Sequence, residues 1–160
     1  MKKKFYQISL IITLIFISNC SGYTPIFNTS NLKFDIANYS IEGDKFLGNK
    51  IYSKLNILSS SKKQENARSI DITIKTEKNK NPTSKNSAGK ILEYKVVLNV
   101  EVKVNDYLTN EKIFSRTFTS STSYKVQNQY SDSLKLENES IENLVNKTYE
   151  EILIEISQKI

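Results

Sequence analysis

The sequence predicts an α+β fold: a two-layer sandwich of order β-α-β-β-β-α, with two helices packed on a four-stranded, mostly antiparallel sheet. Three observations carry that expectation. Leu92, Tyr94, Val96, Leu98, Val100, Val102 and Val104 share one parity while mostly polar residues take the other, so one strand has a dry face and a wet face. Leu47, Ile51, Leu55 and Leu58 fall on one helical face. A second helical stripe runs through Ile141, Leu144, Val145, Tyr149, Ile152, Ile156 and Ile160. Two stripes and a half-apolar sheet satisfy one another in two layers.

The chain has 160 residues, enough for one domain with a modest core. Its first segment reads as an address. Lys2, Lys3 and Lys4 form a basic n-region, and residues 8–17 form an apolar run of about ten residues, too short to span a bilayer, which takes about 20. Ile17, Ser18, Asn19 and Cys20 then resemble a bacterial lipobox, in which the cysteine is acylated after cleavage. Residues 1–19 are therefore read as a cleaved lipoprotein signal peptide, residues 20–31 as the lipidated N-terminus and tether, and residues 32–160 as one domain. Several acyl chains on Cys20 give stable membrane attachment. Ser21, in place of Asp, resembles the sorting signal for the outer membrane, on its periplasmic side.

The elements follow in order. Leu32, Phe34 and Ile36 alternate with polar or small residues as a first strand. Near Asp44 the period changes to that of a helix, capped by that aspartate and ended by the Ser/Lys stretch at 59–63. Ile70, Ile72 and Ile74 give a second strand. Residues 77–90, polar and lysine-rich, read as a loop. The long third strand covers 92–104, a turn follows at 106–110, and residues 113–124 supply the hairpin partner with Phe114 and Phe118 in the core. A polar segment at 127–133 precedes the last helix, with Glu139 and Glu142 near its start, where negative charge suits the helix dipole.

Composition removes most chemistry. There is no His, so Ser-His-Asp and Cys-His catalysis and His-ligated metal sites are excluded; one Cys excludes intrachain disulfides and thiolate metal clusters. Four Gly leave no glycine-rich phosphate loop. Glu150, Glu151 and Glu155 flank the last apolar stripe and read as a solvated face, with no catalytic pair of carboxylates. The expectation is a binding protein, not an enzyme, with no cofactor and no metal.

The net charge of +6 divides unevenly. Removing the three signal lysines leaves +3; residues 20–130 carry +7 and residues 131–160 carry −4. Lys75, Lys78, Lys80, Lys85 and Lys90 cluster within sixteen residues. Such a run is either a solvated loop or a site for an anionic partner, and an exported protein meets phosphorylated glycolipids more readily than nucleic acid. Lysine outnumbers arginine 21 to 2, which suits point-charge contact with phosphate, and no aromatic residue interleaves the run for base stacking, so no nucleic acid is expected. The uncharged Thr/Ser-rich run at 117–124 is either an unguarded strand that pairs with another chain or an interior strand of the domain's own sheet.

Together these residues resemble the LptE family of lipopolysaccharide-assembly lipoproteins. The opening Cys20-Ser21-Gly22-Tyr23-Thr24-Pro25-Ile26-Phe27 is similar to the family's Cys-Gly-aromatic-x-Pro-aliphatic-aromatic start, with Ser21 inserted. The order of elements and the acidic, Asn-containing entry to the last helix (Glu137, Asn138, Glu139, Glu142, Asn143) are also similar. The resemblance implies a protein that plugs the outer-membrane β-barrel LptD, assists its assembly and helps insert lipopolysaccharide into the outer leaflet. Basic residues would meet lipid A phosphates, and Lys78, Lys80, Lys85 and Lys90 are the candidates. Two other classes fit the residues: a lipid-anchored structural accessory of another envelope secretion or transport machine, and a periplasmic carrier, for which the chain has little spare apolar lining.

Overall fold

The structure, a computed structural model, describes residues 34–60 and 67–160. Cys20 and the segments assigned as signal peptide and tether lie outside the described residues, as does Leu32. The elements are β1 (Phe34–Gly43), α1 (Lys45–Ser60), β2 (Arg68–Lys85), β3 (Ile91–Asp106), β4 (Lys112–Lys125) and α2 (Tyr130–Lys159). This is the expected β-α-β-β-β-α order. The sheet runs β1-β2-β3-β4. β1 pairs with β2 in parallel through the α1 crossover, and the two other pairings are antiparallel.

Parity decides the core. Ile70, Ile72 and Ile74 of β2, Val96 to Val104 of β3, and Phe114 and Phe118 of β4 point to one face and are buried. Leu47, Ile51 and Leu55 of α1 and Leu144, Val145, Ile152 and Ile156 of α2 close over them, in the expected two layers. Leu58, Ile141 and Tyr149 are partly buried at the margin, and Ile160 is exposed. The start of α1 is fixed as its sequence implies. Asp44 Oδ1 accepts from Leu47 N at 3.1 Å, satisfying one of the otherwise unpaired N–H groups of the first turn. Just before it, Gly43 adopts φ +75, and a Cβ there would lie 2.1 Å from the Thr76 carbonyl oxygen, so the β1–α1 corner closes only on glycine. The same corner is clipped to β2 by Asp44 N donating to Thr76 O at 2.9 Å and Thr76 Oγ1 donating to Asp44 O at 2.6 Å.

Two expectations about element boundaries are corrected. Residues 77–85 are not a loop: β2 continues to Lys85, paired with β3 as far as Lys85 opposite Ile91, and the reversal is confined to Asn86–Lys90. A 16-residue β3 exposes a full row of backbone donors and acceptors, and an equally long neighbour is the simplest way to satisfy them. Pro82, which cannot donate to the ladder, sits where the register shifts. Second, α2 begins at Tyr130, so residues 130–133 are helical and Asp132 occupies the first turn. Glu139 and Glu142 lie further in and answer to lysines instead: Glu142 pairs with Lys50 of α1, and Glu139 lies 3.9 Å from Lys135.

The run 117–124 belongs to the domain's own sheet but at its edge, since β4 pairs with β3 alone among the described strands. Glu155 is buried rather than solvated. It accepts from Arg116 Nη1 across the α2–β4 contact, beside a buried Ser120–Thr148 hydroxyl pair at 2.9 Å. An ion pair and a hydroxyl pair thus fill the positions where the α2 stripe meets the polar side chains of β4.

Candidate functional site

The far end of the long β2–β3 hairpin extends past the reach of α1, and there the first turns of α2 lie against it. A cleft of about 310 Å³ results, within the range of small-ligand sites. Tyr94 of β3 and Tyr124 of β4 are opposite one another in the ladder and stack with centroids 5.8 Å apart, giving the cleft an aromatic floor. Tyr130 and Leu134 of α2 wall one side, Lys80 and Lys90 the other, and Glu137 closes the base.

Lys80 occupies the middle. Its Nζ lies 4.4 Å from the Tyr94 ring centroid and 5.5 Å from that of Tyr124, a cation over two aromatic faces. It also donates to Glu137 Oε2 at 2.5 Å, and the Tyr124 hydroxyl donates to the same oxygen at 2.8 Å. Partial burial works against the charged form of each group, yet the hydrogen bonds prevail for the ion pair. Burial lowers and the Glu137 and Tyr124 contacts raise the Lys80 ammonium, for a net rise. Burial raises and the Lys80 and Tyr124 hydrogen bonds lower the Glu137 carboxyl, for a net fall, to which the nearby Lys78 charge adds. Burial pushes the Tyr124 phenol up. At neutral pH the cleft therefore holds a locked lysine-carboxylate pair.

The four candidate lysines do not form one cluster. Lys80 and Lys90 line the cleft. Lys78, two residues along β2 on the same side as Lys80, is exposed opposite Leu98. Lys85 ends β2 opposite Ile91, outside the cleft lining. Among the described residues Lys78, Lys85 and Lys90 form no ion pair, whereas Lys80 is committed to Glu137. Sequence reasoning missed Glu137, Tyr130 and Leu134 as site residues because they sit on the helical turns read as a polar segment or as helix entry. Leu134, Glu137 and Ile141 fall at helical spacing, and that signal could have extended the helix.

A second hollow, about 270 Å³, lies between β4 and the end of α2, lined by Phe118, Arg116, Glu151 and Glu155. Its arginine is already matched by Glu155.

No protein-family model matches the chain, and no curated protein matches it. Solved structures do. A minor lipoprotein from Acinetobacter baumannii superposes with a TM-score of 0.58 at 13% identity, over 79% of this chain and 92% of that one. Lipoprotein B from Nitrosomonas europaea gives 0.58 at 16% identity, over 82% and 88%. The rare lipoprotein B from Shewanella oneidensis gives 0.54 at 14%, over 76% and 94%. The chain shares its fold with these bacterial lipoproteins. Identities this low speak to the fold alone, and the cleft's chemistry rests on its own residues.

Proposed function

We propose that the protein is a lipid-anchored envelope lipoprotein of the LptE type, acylated at Cys20 and held on the periplasmic side of the outer membrane. There it would plug and help assemble the LptD barrel and assist delivery of lipopolysaccharide. The observation that carries this reading is the conjunction of a lipobox-like Cys20 after a basic and apolar leader with a fold shared, over most of the chain, with three bacterial lipoproteins. The arrangement suits binding and positioning rather than covalent chemistry.

The hairpin end supplies what a phosphorylated glycolipid requires. Tyr130, exposed beside the cleft, offers a face for a sugar ring, and Lys78, Lys85 and Lys90 offer charge held in no ion pair among the described residues. Lys80 then has a different part: tied to Glu137 and the tyrosines, it shapes the cleft. The test separates these roles. Replacing Lys78, Lys85 and Lys90 together by Ser should weaken lipopolysaccharide binding at physiological salt and flatten its salt dependence, with thermal stability unchanged. Binding that is unaltered in this triple variant removes the hairpin end from lipopolysaccharide recognition.

A further inference from the structure

The opposite end of the sheet carries a feature that neither the fold nor the cleft requires. The β3–β4 turn holds Leu108 at 84% exposure and Tyr107 at 48%. The turn is stiff. Asp106 Oδ1 accepts from Leu108 N at 2.9 Å and from Thr109 N at 3.0 Å, while Arg68 Nε donates to Asp106 Oδ2 at 2.7 Å. Tyr107 N donates to Ser69 O at 3.0 Å, and Asn110 takes φ 57 to complete the reversal. An apolar side chain is thus held out into solvent by a turn braced at several points, at a position where a polar residue would serve equally well.

Register places this turn. Phe34, the first residue of β1, is opposite Arg68, and Ile70 is opposite Asp106, so β1 starts at the end of the sheet that carries Tyr107 and Leu108. α1 returns to the same end, where Ile36 N donates to Ser59 Oγ, and brings Ile57, 65% exposed. α2 finishes on that side too, since Glu137 meets Tyr124 at the far end and Glu155 meets Arg116, and it brings the exposed Ile160. The sheet and both helices therefore each present an exposed aliphatic residue at one end. At the far end Tyr130 and Leu134 line the cleft, and Leu92, 43% exposed, lies outside its lining. Cys20 precedes Phe34 by fourteen residues, which reach at most about 50 Å when fully extended. β2 alone, at 18 residues, runs about 59 Å, so an anchor at Cys20 favours the Phe34 end at the bilayer and the lysine-bearing hairpin away from it.

We infer that the end of the sheet formed by the 106–110 turn is a membrane-surface contact, with Leu108 and Tyr107 entering the interfacial region of the bilayer. The inference rests on the proposed acylation of Cys20. Leucine supplies apolar area, and tyrosine suits the boundary, where its ring is apolar and its hydroxyl stays wet. Because the turn is already rigid, little ordering accompanies contact.

The chain contains no Trp, so Leu108→Trp in the full-length lipoprotein gives a single reporter. In vesicles of phosphatidylethanolamine and phosphatidylglycerol with brominated acyl chains, the fluorescence of the introduced indole should shift to the blue and be quenched at least about twofold. The matching variant Ala88→Trp, on the opposite turn, should show neither change. Intact mass of the same sample reports acylation of Cys20 separately. An unquenched Leu108→Trp indole in acylated protein overturns the membrane contact and leaves the lipoprotein reading standing. A Cys20 without lipid overturns the lipoprotein reading; quenching in that sample still supports the contact, and its absence overturns both. Equal quenching at both turns would show that the domain lies flat or inserts without the proposed orientation, which also overturns it.

Discussion

Replacing Glu137 by Gln should make the protein less stable and, at the same time, a better binder of anions. Glu137 Oε2 accepts from Lys80 at 2.5 Å and from the Tyr124 hydroxyl at 2.8 Å. Glutamine keeps the size and can still accept from Tyr124, so the loss is the ion pair and the charge-assisted part of the hydroxyl bond. With the Lys80 side chain 35% exposed, the pair is screened and contributes about 0.5 kcal/mol. Weakening a hydrogen bond to a charged group adds a similar amount, for about 1 kcal/mol in all. In a domain of this size that lowers the Tm by about 3–6 °C. The cleft meanwhile changes from two lysines against one carboxylate to two lysines alone. A unit charge removed about 7 Å from a bound phosphate, in a largely wet cleft, is worth roughly 0.8 kcal/mol, or about fourfold in affinity at low salt. Urea unfolding and lipopolysaccharide titration by surface plasmon resonance, on the same protein, read both quantities. Stability and binding falling together would mean that the carboxylate itself holds the ligand, and the reasoning fails.

Asp106 provides a pH prediction. The Arg68 guanidinium, followed by the Thr109 and Leu108 N–H groups, holds its carboxyl at about 2, below the ordinary 3.8. A depressed value stabilises the fold above the unfolded pKa, and that contribution is lost as pH falls toward the folded value. The Tm gap between the native protein and Asp106→Asn should therefore be constant down to about pH 5 and close between about pH 4 and pH 2, as followed by circular dichroism; a gap that persists at the lowest pH would contradict the assignment. Gly43→Ala should destabilise by about 3 kcal/mol or more, because both the left-handed φ and the 2.1 Å approach to Thr76 O oppose a Cβ, and a near-neutral result in denaturant unfolding would show that the corner shifts freely. Ile152→Ala, at a fully buried position in the last third of α2, should cost about 3–4 kcal/mol with no change in the m-value.

The elements legible in the sequence are those whose side-chain period matches their burial. β3 is the clearest, since every residue of the stripe from Val96 to Val104 is buried, and α1 follows from Leu47, Ile51 and Leu55 with Asp44 as its cap. The outer half of β2 was not legible, because Lys78, Asn79, Lys80 and Asn81 carry no apolar alternation. Their strand conformation comes from backbone pairing with β3, which side-chain patterns do not report. The first turns of α2 escaped for a related reason: their polar residues face solvent and the cleft, with Leu136 packing only partly on the core. Both misreadings fall on the two segments that build the cleft. Lys80 and Lys90 were therefore visible as charge, while the Tyr94–Tyr124 floor and the Glu137 lock required the fold. Glu155 shows the same limit, since its burial depends on Arg116, 39 residues away in sequence.

The most direct measurement of the central claim is co-purification of the full-length protein from membranes extracted in mild detergent. The LptE-type reading predicts that one large outer-membrane β-barrel, the LptD of the same cell, comes with it in stoichiometric amount, and does so equally with the Lys78, Lys85 and Lys90 triple Ser variant. Recovery of the lipidated protein without any such barrel would contradict it.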